Sequence, residues 1–274
     1  MIDVNNLSFK YPGQKNLVFD NFDLHLTDNN IYGLLGKNGT GKSTLLYLIA
    51  GLLRPKKGTV RVDGVDTCLR KPEIMREIFI VPEEYDLPAM SLNDYVRINE
   101  PFYPRFSREV LRSCLSDFEL PETLNLNSLS MGQKKKVFMS FALAAGTRLL
   151  LMDEPTNGLD IPSKAQFRRT VARNMGDDRI LLISTHQVHD VESLLDHILI
   201  VSHNSLLCNA SVADILSRYQ FEYRMPSEMD DSVVYAEPSL QGNAVMARRN
   251  GNGAETSLNL ELFFNAVTGK NIKI

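Results

Sequence analysis

The spacing of apolar residues in the first 50 positions predicts three short strands followed by a helix. Apolar residues alternate with polar ones or form short runs over residues 2–9, 18–26 and 31–35, as they do in strands. From Lys42 the apolar spacing becomes helical, and it closes at Gly51, a residue type that commonly ends helices. This order indicates an antiparallel edge that leads into a core strand.

The middle of the chain is predicted to be a helical insertion. Two further strands are expected at residues 59–62 and 78–81. Beyond them the patterns are helical only, and they cover 91–99, 107–117 and 132–145. We therefore predict an inserted helical subdomain over about residues 84–146.

After the insertion, predicted strands and helices alternate. The strands are expected at 148–152, 180–184 and 197–201, and the helices at 162–175 and 188–195. Such alternation is typical of parallel strands joined by crossover helices. Residues 149–152 and 180–183 are continuously apolar, which places them at the centre of a sheet that is covered on both faces. The fold class is therefore α/β.

Composition shifts to short polar segments beyond residue 217. Asn-Gly-Asn-Gly at 250–253 is a turn signal between segments 244–247 and 255–260, and it predicts a hairpin. A helix is expected at about 259–267. We divide the chain into a main domain, 1–217, and a small C-terminal α+β appendage, 218–274.

Composition and charge narrow the classes of protein that the chain can be. Of 274 residues, 43% are hydrophobic and 23% are charged, which is typical of a globular protein. Lys plus Arg number 30 against 33 Asp plus Glu, a net charge of −3 that argues against a nucleic-acid coat protein. The three cysteines, Cys68, Cys114 and Cys208, are widely spaced and are expected to be reduced thiols. No signal peptide and no membrane-spanning stretch is recognisable, so we expect a cytoplasmic protein.

A glycine-rich segment carries the first chemical signal. Residues 36–43, Gly-Lys-Asn-Gly-Thr-Gly-Lys-Ser, fit GxxxxGK[ST] between a predicted strand and a predicted helix. Backbone N–H groups of such a loop face phosphate oxygens, Lys42 would reach the β and γ phosphates, and the Ser43 hydroxyl would coordinate Mg²⁺. The alternative is a glycine-rich turn with an incidental lysine. The predicted ATP contacts here are Gly36, Asn38, Gly39, Gly41, Lys42, Ser43 and Thr44.

Two carboxylates follow the apolar strand at 149–152. In a sheet of this class, strand ends face the ligand crevice, and neighbouring side chains point in different directions. We assign Asp153 to the Mg²⁺ shell and Glu154 to a water that attacks the γ-phosphate. The alternative for either residue alone is a solvated strand terminus.

An ordered set of motifs resembles the ATP-binding-cassette ATPases. The set consists of the glycine-rich loop, Leu-Ser-Met-Gly-Gln at 129–133, Asp-Glu-Pro-Thr at 153–156 and Ser-Thr-His at 184–186. The resemblance covers about residues 1–215 and implies a P-loop NTPase core with a mixed sheet, an antiparallel β edge and the helical subdomain. It also implies that Ser130, Gly132 and Gln133 meet the ATP held by a second subunit, so that two ATPs are sandwiched in a head-to-tail dimer. Locally, Ser130 is also expected to cap a helix.

Further residues take roles that the resemblance implies. His186 resembles the histidine that contacts the γ-phosphate, Asp160 is expected at the subunit interface, and Tyr11 resembles the aromatic residue that stacks on adenine. A structural histidine and a tyrosine packed for burial are the alternatives. The lysines at 134–136 are predicted to be the solvated face of the helix that follows the Leu-Ser-Met-Gly-Gln motif.

Glu83 departs from the family pattern, because the family usually has Gln after this strand. A carboxylate can still ligate Mg²⁺, but it adds negative charge near the triphosphate. The alternative is that Glu83 and Glu84 form a solvated loop pair.

The sequence leaves three functions to be weighed against these motifs. The first is an ATPase subunit that is peripheral on the inner face of the cell membrane and powers a separately encoded transmembrane permease, with export as the expected direction and a second cassette subunit as homo- or heterodimer partner. The second is a soluble cassette ATPase that acts on ribosomes or nucleic acid, which the acidic balance disfavours. The third is a regulator without turnover, which the presence of both Glu154 and His186 disfavours. No nucleic-acid partner is expected.

Overall fold

The computed structural model describes residues 1–27, 30–176, 178–202, 204–249 and 256–270. The strands are β1 (Ile2–Phe9), β2 (Phe19–Leu26), β3 (Ile31–Leu35), β4 (Lys57–Val62), β5 (Val65–Asp66), β6 (Ile78–Val81), β7 (Leu149–Asp153), β8 (Ile180–Thr185), β9 (His197–Ser202), β10 (Ser205–Ser211), β11 (Tyr219–Arg224), β12 (Val233–Ser239) and β13 (Gly242–Arg248). The helices are α1 (Lys42–Ile49), α2 (Pro72–Met75), α3 (Leu92–Asn99), α4 (Arg108–Asp117), α5 (Met131–Ala144), α6 (Ile161–Asn174), α7 (Val212–Arg218) and α8 (Leu260–Lys270). Within these residues, none of the helices has the length and apolarity needed to cross a bilayer.

A six-stranded sheet forms the centre, in the order β10-β9-β3-β8-β7-β6. Its strands are parallel except for β10, which pairs antiparallel with β9. The register places Leu35 beside Thr185 and Asp153 beside Ser184. The carboxyl ends of β3, β8 and β7 therefore meet at one edge, where ligands of such sheets bind. The mixed sheet confirms the predicted α/β fold class.

The antiparallel strands form a second sheet, in the order β2-β1-β4-β5. Its apolar face and one face of the central sheet share a core, and α1 lies in that core with Leu45, Leu48 and Ile49 buried. Because α1 is buried on most of its circumference, the glycine-rich loop that opens it is held between two sheets.

The helices between β6 and β7 form the predicted insertion. Each of the three long ones begins after a serine whose hydroxyl accepts a backbone N–H of the first turn: Ser91, Ser107 and Ser130. Phe141 of α5 contacts the ring of Tyr95 on α3 and the ring of Phe106, which lies just before α4. The residue bounds of the insertion stay a prediction.

The prediction of a helix at 188–195 is wrong. The segment forms two 3₁₀ turns, Val188–Asp190 and Glu192–Leu194. Its buried residues are Val188, Val191, Leu194 and Leu195, and the spacing of three between the first three matches a 3₁₀ turn.

The C-terminal segment differs from the predicted hairpin. The observed hairpin joins β12 to β13 through Leu240 and Gln241, where Gly242 takes a φ of 113°. The turn predicted at 250–253 lies outside the described residues, and 256–259 form no strand. Helix α8 begins at Leu260 and packs on β9 and β10, so its apolar face belongs to the same core as the central sheet. The division of the chain at residue 217 stays a prediction.

Candidate nucleotide and catalytic site

A cleft of about 640 Å³ opens where β3, β7 and β8 end. It is lined by Tyr11, Gln14, Val18, Asn38, Gly39, Gly41, Lys42, Ser43, Thr44, Glu83, Glu154, Asn157 and His186. Ten of these thirteen residues were predicted from the sequence, and Gln14, Val18 and Asn157 were not. The structure therefore brings the separated motifs of one chain together in one cavity.

The glycine-rich loop bends tightly enough to surround its own lysine. Gly41 has a φ of 98°, and a Cβ there would lie 2.8 Å from the ring of Phe19, so only glycine fits. The ammonium of Lys42 donates to the carbonyl of Gly36 at 2.8 Å, which is how Gly36 takes part without lining the cleft. Burial lowers the pKa of Lys42, and the carboxylates of Glu154, Asp153 and Glu83 oppose that shift.

Asp153 ends β7 with a side chain that is 1% exposed. Its carboxylate accepts hydrogen bonds from the hydroxyls of Ser184 and Ser43. Burial raises the pKa of Asp153 despite these bonds. The site thus holds a desolvated carboxylate beside the hydroxyl that the sequence assigned to Mg²⁺.

Glu154 is held in an unusual backbone conformation, with a φ of 44°. Its carboxylate accepts from the Thr185 hydroxyl at 3.0 Å and from the His186 backbone N–H at 3.1 Å. His186 Nδ1 lies 2.7 Å from Glu154 Oε1, and Lys42 Nζ lies 3.9 Å from the same oxygen. These contacts fix the carboxylate at the cleft and offset the strain of the left-handed backbone.

The oxygen donors fit a magnesium ion. In phosphate sites, Mg²⁺ takes one or two protein oxygens and fills its other positions with phosphate and water. The Ser43 hydroxyl and the Asp153 carboxylate already contact each other, and they provide two such oxygens. Across the described ranges, no three acidic, histidine or cysteine side chains converge as a metal site.

Glu83 is not part of a solvated loop pair. Its side chain lines the cleft and accepts a hydrogen bond from the Asn157 amide at 2.8 Å, whereas Glu84 is exposed. Tyr11 also lines the cleft, its hydroxyl 3.0 Å from the Thr44 hydroxyl and its ring edge-on to Phe9.

The prediction that lysines 134–136 form a solvated face is wrong for Lys135. This residue is 6% exposed, and its ammonium donates to the carbonyl of Asn157 at 2.7 Å. Lys136 is half-buried and donates to Gln166 at 2.9 Å. The signal that was missed is spacing, because Lys135 precedes the buried residues Met139 and Ala142 of α5 by four and seven positions.

Six predicted site residues do not line the cleft. Gly36 and Asp153 lie beside it, bonded to Lys42 and Ser43, whereas Ser130, Gly132, Gln133 and Asp160 lie away from it. Ser130 and Gln133 cap α5 reciprocally, at 3.3 and 3.0 Å, and both are exposed. Asp160 caps α6 through the Ser163 N–H at 3.0 Å. One chain therefore presents these residues on its surface rather than to its own phosphate loop.

Comparisons with known proteins agree with this arrangement. Residues 19–157 match the family described as ABC transporter. ABC transporter ATP-binding protein YtrB of Bacillus subtilis (strain 168) is 29% identical over 244 residues, which are 88% of this chain and 82% of that protein. Bacitracin transport ATP-binding protein BcrA of Bacillus licheniformis is 30% identical, with coverage of 76% of this chain and 68% of that protein.

Methionine import ATP-binding protein MetN of Carboxydothermus hydrogenoformans (strain ATCC BAA-161 / DSM 6008 / Z-2901) is also 30% identical, with 78% of this chain and 67% of that protein covered. Among solved structures, one described as the ATP binding subunit of an ABC transporter superposes with a TM-score of 0.70 at 25% identity, covering 78% of this chain and 91% of that chain. The chain belongs to the ABC transporter family and is one of its ATP-binding, ATP-hydrolysing proteins.

Proposed function

We propose that the chain is a nucleotide-binding subunit that dimerises around two ATPs and drives a separate transmembrane partner. The observation that carries the proposal is the Glu154 carboxylate, fixed by Thr185 and His186 beside the phosphate-loop lysine. A buried, oriented carboxylate at a phosphate cleft is suited to general-base work on a water.

Different residues of the cleft bind different parts of ATP. The ring of Tyr11 stacks on adenine, the backbone N–H groups of residues 36–44 surround the phosphates, and Lys42 neutralises the β and γ phosphates. Binding of the triphosphate replaces the Gly36 carbonyl as the partner of the Lys42 ammonium. The buried lysine then gains a charged partner in place of a neutral one, which favours binding.

Ser43 and Asp153 are the residues that hold Mg²⁺, with Glu83 close enough to the cleft to join them. When bound, Mg²⁺ supplies neutralisation of the charge that develops on the phosphate oxygens. Glu154 accepts the proton of the attacking water, while His186 holds that carboxylate and contacts the γ-phosphate.

We base the proposed dimer on the four predicted site residues at the starts of α5 and α6, which lie away from the cleft. Ser130, Gly132, Gln133 and Asp160 are at the exposed starts of α5 and α6, where backbone N–H groups and the positive helix end suit a phosphate. They complete the cleft of a second subunit, and that subunit completes this one. The proposal covers both a homodimer and a heterodimer.

A groove beside the helical insertion is the proposed seat of the transmembrane partner. It has a volume of about 360 Å³ and is lined mostly by apolar and aromatic residues, among them Leu52, Tyr95, Tyr103 and Phe138. Ile98 and Phe102 adjoin it in sequence and are more than half exposed. An apolar groove with exposed large side chains is typical of a protein interface.

The proposed site of action is the inner face of the cell membrane, and the proposed direction is export. BcrA is named for bacitracin transport and MetN for methionine import, so relatives of equal identity to this chain are named for different cargoes. Purification of the tagged chain from membranes should recover an integral membrane protein, and Phe102→Glu should abolish its recovery. Stimulation of ATP hydrolysis by RNA instead would support action on ribosomes or nucleic acid.

The catalytic assignment is tested with Glu154→Gln. We expect nucleotide affinity to stay within about 3-fold of wild type, hydrolysis to fall by at least about 100-fold, and an ATP-bound dimer to accumulate in size-exclusion chromatography. Glu109→Gln, an exposed carboxylate on α4, is the matched control and should hydrolyse ATP at the wild-type rate. Unchanged turnover of Glu154→Gln would refute the assigned base.

A further inference from the structure

Lys135 connects three segments of the catalytic site. It lies on α5 one turn after the exposed cap, yet its ammonium reaches the carbonyls of Asn157 at 2.7 Å and Glu154 at 3.5 Å. These two carbonyls bracket the turn that follows β7 and carries the catalytic carboxylate. A buried ammonium needs such partners, because burial without them is costly.

Asn157 is held at both of its ends. Its carbonyl accepts from Lys135, and its side-chain amide donates to Glu83 at 2.8 Å. A chain of hydrogen bonds from Lys135 through Asn157 to Glu83 therefore joins α5, the turn after β7 and the loop after β6. A shift of α5 would move the Glu154 turn and the Glu83 carboxylate together.

The excess of negative charge at the site falls from two to one when Lys135 is counted. Three carboxylates lie near the phosphate loop, Glu83, Asp153 and Glu154, and two buried lysines face them, Lys42 and Lys135. Burial lowers the pKa of Lys135, and Glu83 is the foremost of the carboxylates that oppose this shift. Glu83 adds a negative charge where the family usually has Gln, and Lys135 offsets it.

We propose that Lys135 is a positioning residue for ATP hydrolysis: it fixes the turn that carries Glu154 and offsets the charge of Glu83. The inference rests on the proposed role of Glu154 and adds a residue that does not line the cleft. Through Lys135, a movement of α5, the helix that Ser130 caps, would be transmitted to the Glu154 carboxylate.

The test is a double-mutant cycle on the full chain, with Lys135→Met, Glu83→Gln and their combination. Lys135→Met keeps the length of the side chain and removes the ammonium. We expect its kcat to fall about 10- to 100-fold with ATP affinity within about 3-fold of wild type, because a misplaced general base lowers the rate and not the affinity. In the Glu83→Gln background the same change should cost at least about 5-fold less, because the two residues are coupled.

Lys136→Met is the matched control, since it removes the same charge from the neighbouring position but breaks a contact to Gln166 rather than to the site. Its melting temperature should fall while its kcat stays within about 3-fold of wild type. Lys135→Gln, which retains a donor, provides the same cycle if Lys135→Met does not fold.

Equal losses in both Glu83 backgrounds, or a wild-type kcat for Lys135→Met, would overturn the positioning role. Because all these variants keep Glu154, that result is distinct from failure of the catalytic assignment, which only Glu154→Gln reports.

Discussion

The buried carboxylate of Asp153, at the end of β7, lowers the stability of the protein but serves its proposed function. Asp153 loses most of its hydration on folding, and burial raises its pKa in spite of two hydroxyl donors. A charge that is kept there for a cation destabilises the protein when the cation is absent. Functional sites commonly retain such groups at the expense of stability.

Asp153→Asn should therefore stabilise the nucleotide-free protein and inactivate it. We expect its melting temperature to rise by about 2–4 °C at neutral pH, equivalent to about 1 kcal/mol in a domain of this size. The amide removes the charge and can still accept hydrogen bonds from Ser184 and Ser43. Thermal unfolding and ATP hydrolysis measured on the same preparation check both halves of the prediction.

The difference should depend on pH in one direction. The pKa of Asp153 is raised in the folded protein above its ordinary value of 3.8. Below pH 3.8 the carboxyl is neutral in both the folded and the unfolded protein, so it does not affect stability. The folded protein loses stability as the pH rises through the folded pKa. The gap between Asp153→Asn and wild type should therefore narrow as pH falls toward 3.8. A gap that widens on acidification would contradict the buried-charge explanation.

Local motifs made most of the cleft predictable at this scale. Lys42, Ser43, Asp153 and Glu154 were assigned from residue type, spacing and position at strand ends, and all four meet in the structure. Lys135 was misread because its burial depends on which side of α5 faces the turn after β7, a contact between segments about 20 residues apart.

At the scale of the elements, Ser130 at the start of α5 has two roles, one structural and one functional. Ser130 accepts the Gln133 N–H as the helix cap, and the same hydroxyl is the proposed contact to the partner's nucleotide. A loss of activity in Ser130→Ala would not separate the two uses, because removal of the cap also costs about 1 kcal/mol.

Ser130→Asp separates them. Aspartate caps helices as well as serine does, so its melting temperature should stay within about 2 °C of wild type, whereas Ser130→Ala should lose about 2–4 °C. The new negative charge faces the phosphates of the partner's ATP, so ATP-dependent dimerisation should be lost in Ser130→Asp. Wild-type dimerisation of this variant, measured by light scattering in the Glu154→Gln background, would exclude the proposed contact.

Helices with a serine or glycine start signal were predicted well, and the segment after β8 was not. The three helices of the insertion begin within one residue of their expected serine or glycine signals. The sequence predicts one helix after β8, because the spacing of Val188, Val191 and Leu194 also matches the apolar face of a helix over a short window. The first 3₁₀ turn of this segment packs against α8 and the second against α6, contacts that the sequence alone does not show.

On the scale of the whole molecule, helix α8 of the C-terminal segment shares the core of the central sheet. It packs on that sheet and on the turn that follows His186. His189 Nε2 lies 2.6 Å from Glu261, and Glu192 accepts the Leu260 N–H at 2.8 Å. These contacts link residues about 70 positions apart, which is why local patterns could not predict them.

Phe263→Ala tests whether this continuity governs stability. The side chain is 0% exposed on α8 and packs edge-on to Phe221, so its removal should cost about 3–5 kcal/mol through lost burial and a residual cavity. At about 2–4 °C per kcal/mol, the single unfolding transition of the whole chain should shift down by about 10 °C. Leu240→Ala, at the fully exposed hairpin tip with 106% relative exposure, should not shift it. Calorimetry that instead resolved a separate, lower transition, with the main one unmoved, would show that the segment unfolds on its own and that the shared core does not couple it to the catalytic site.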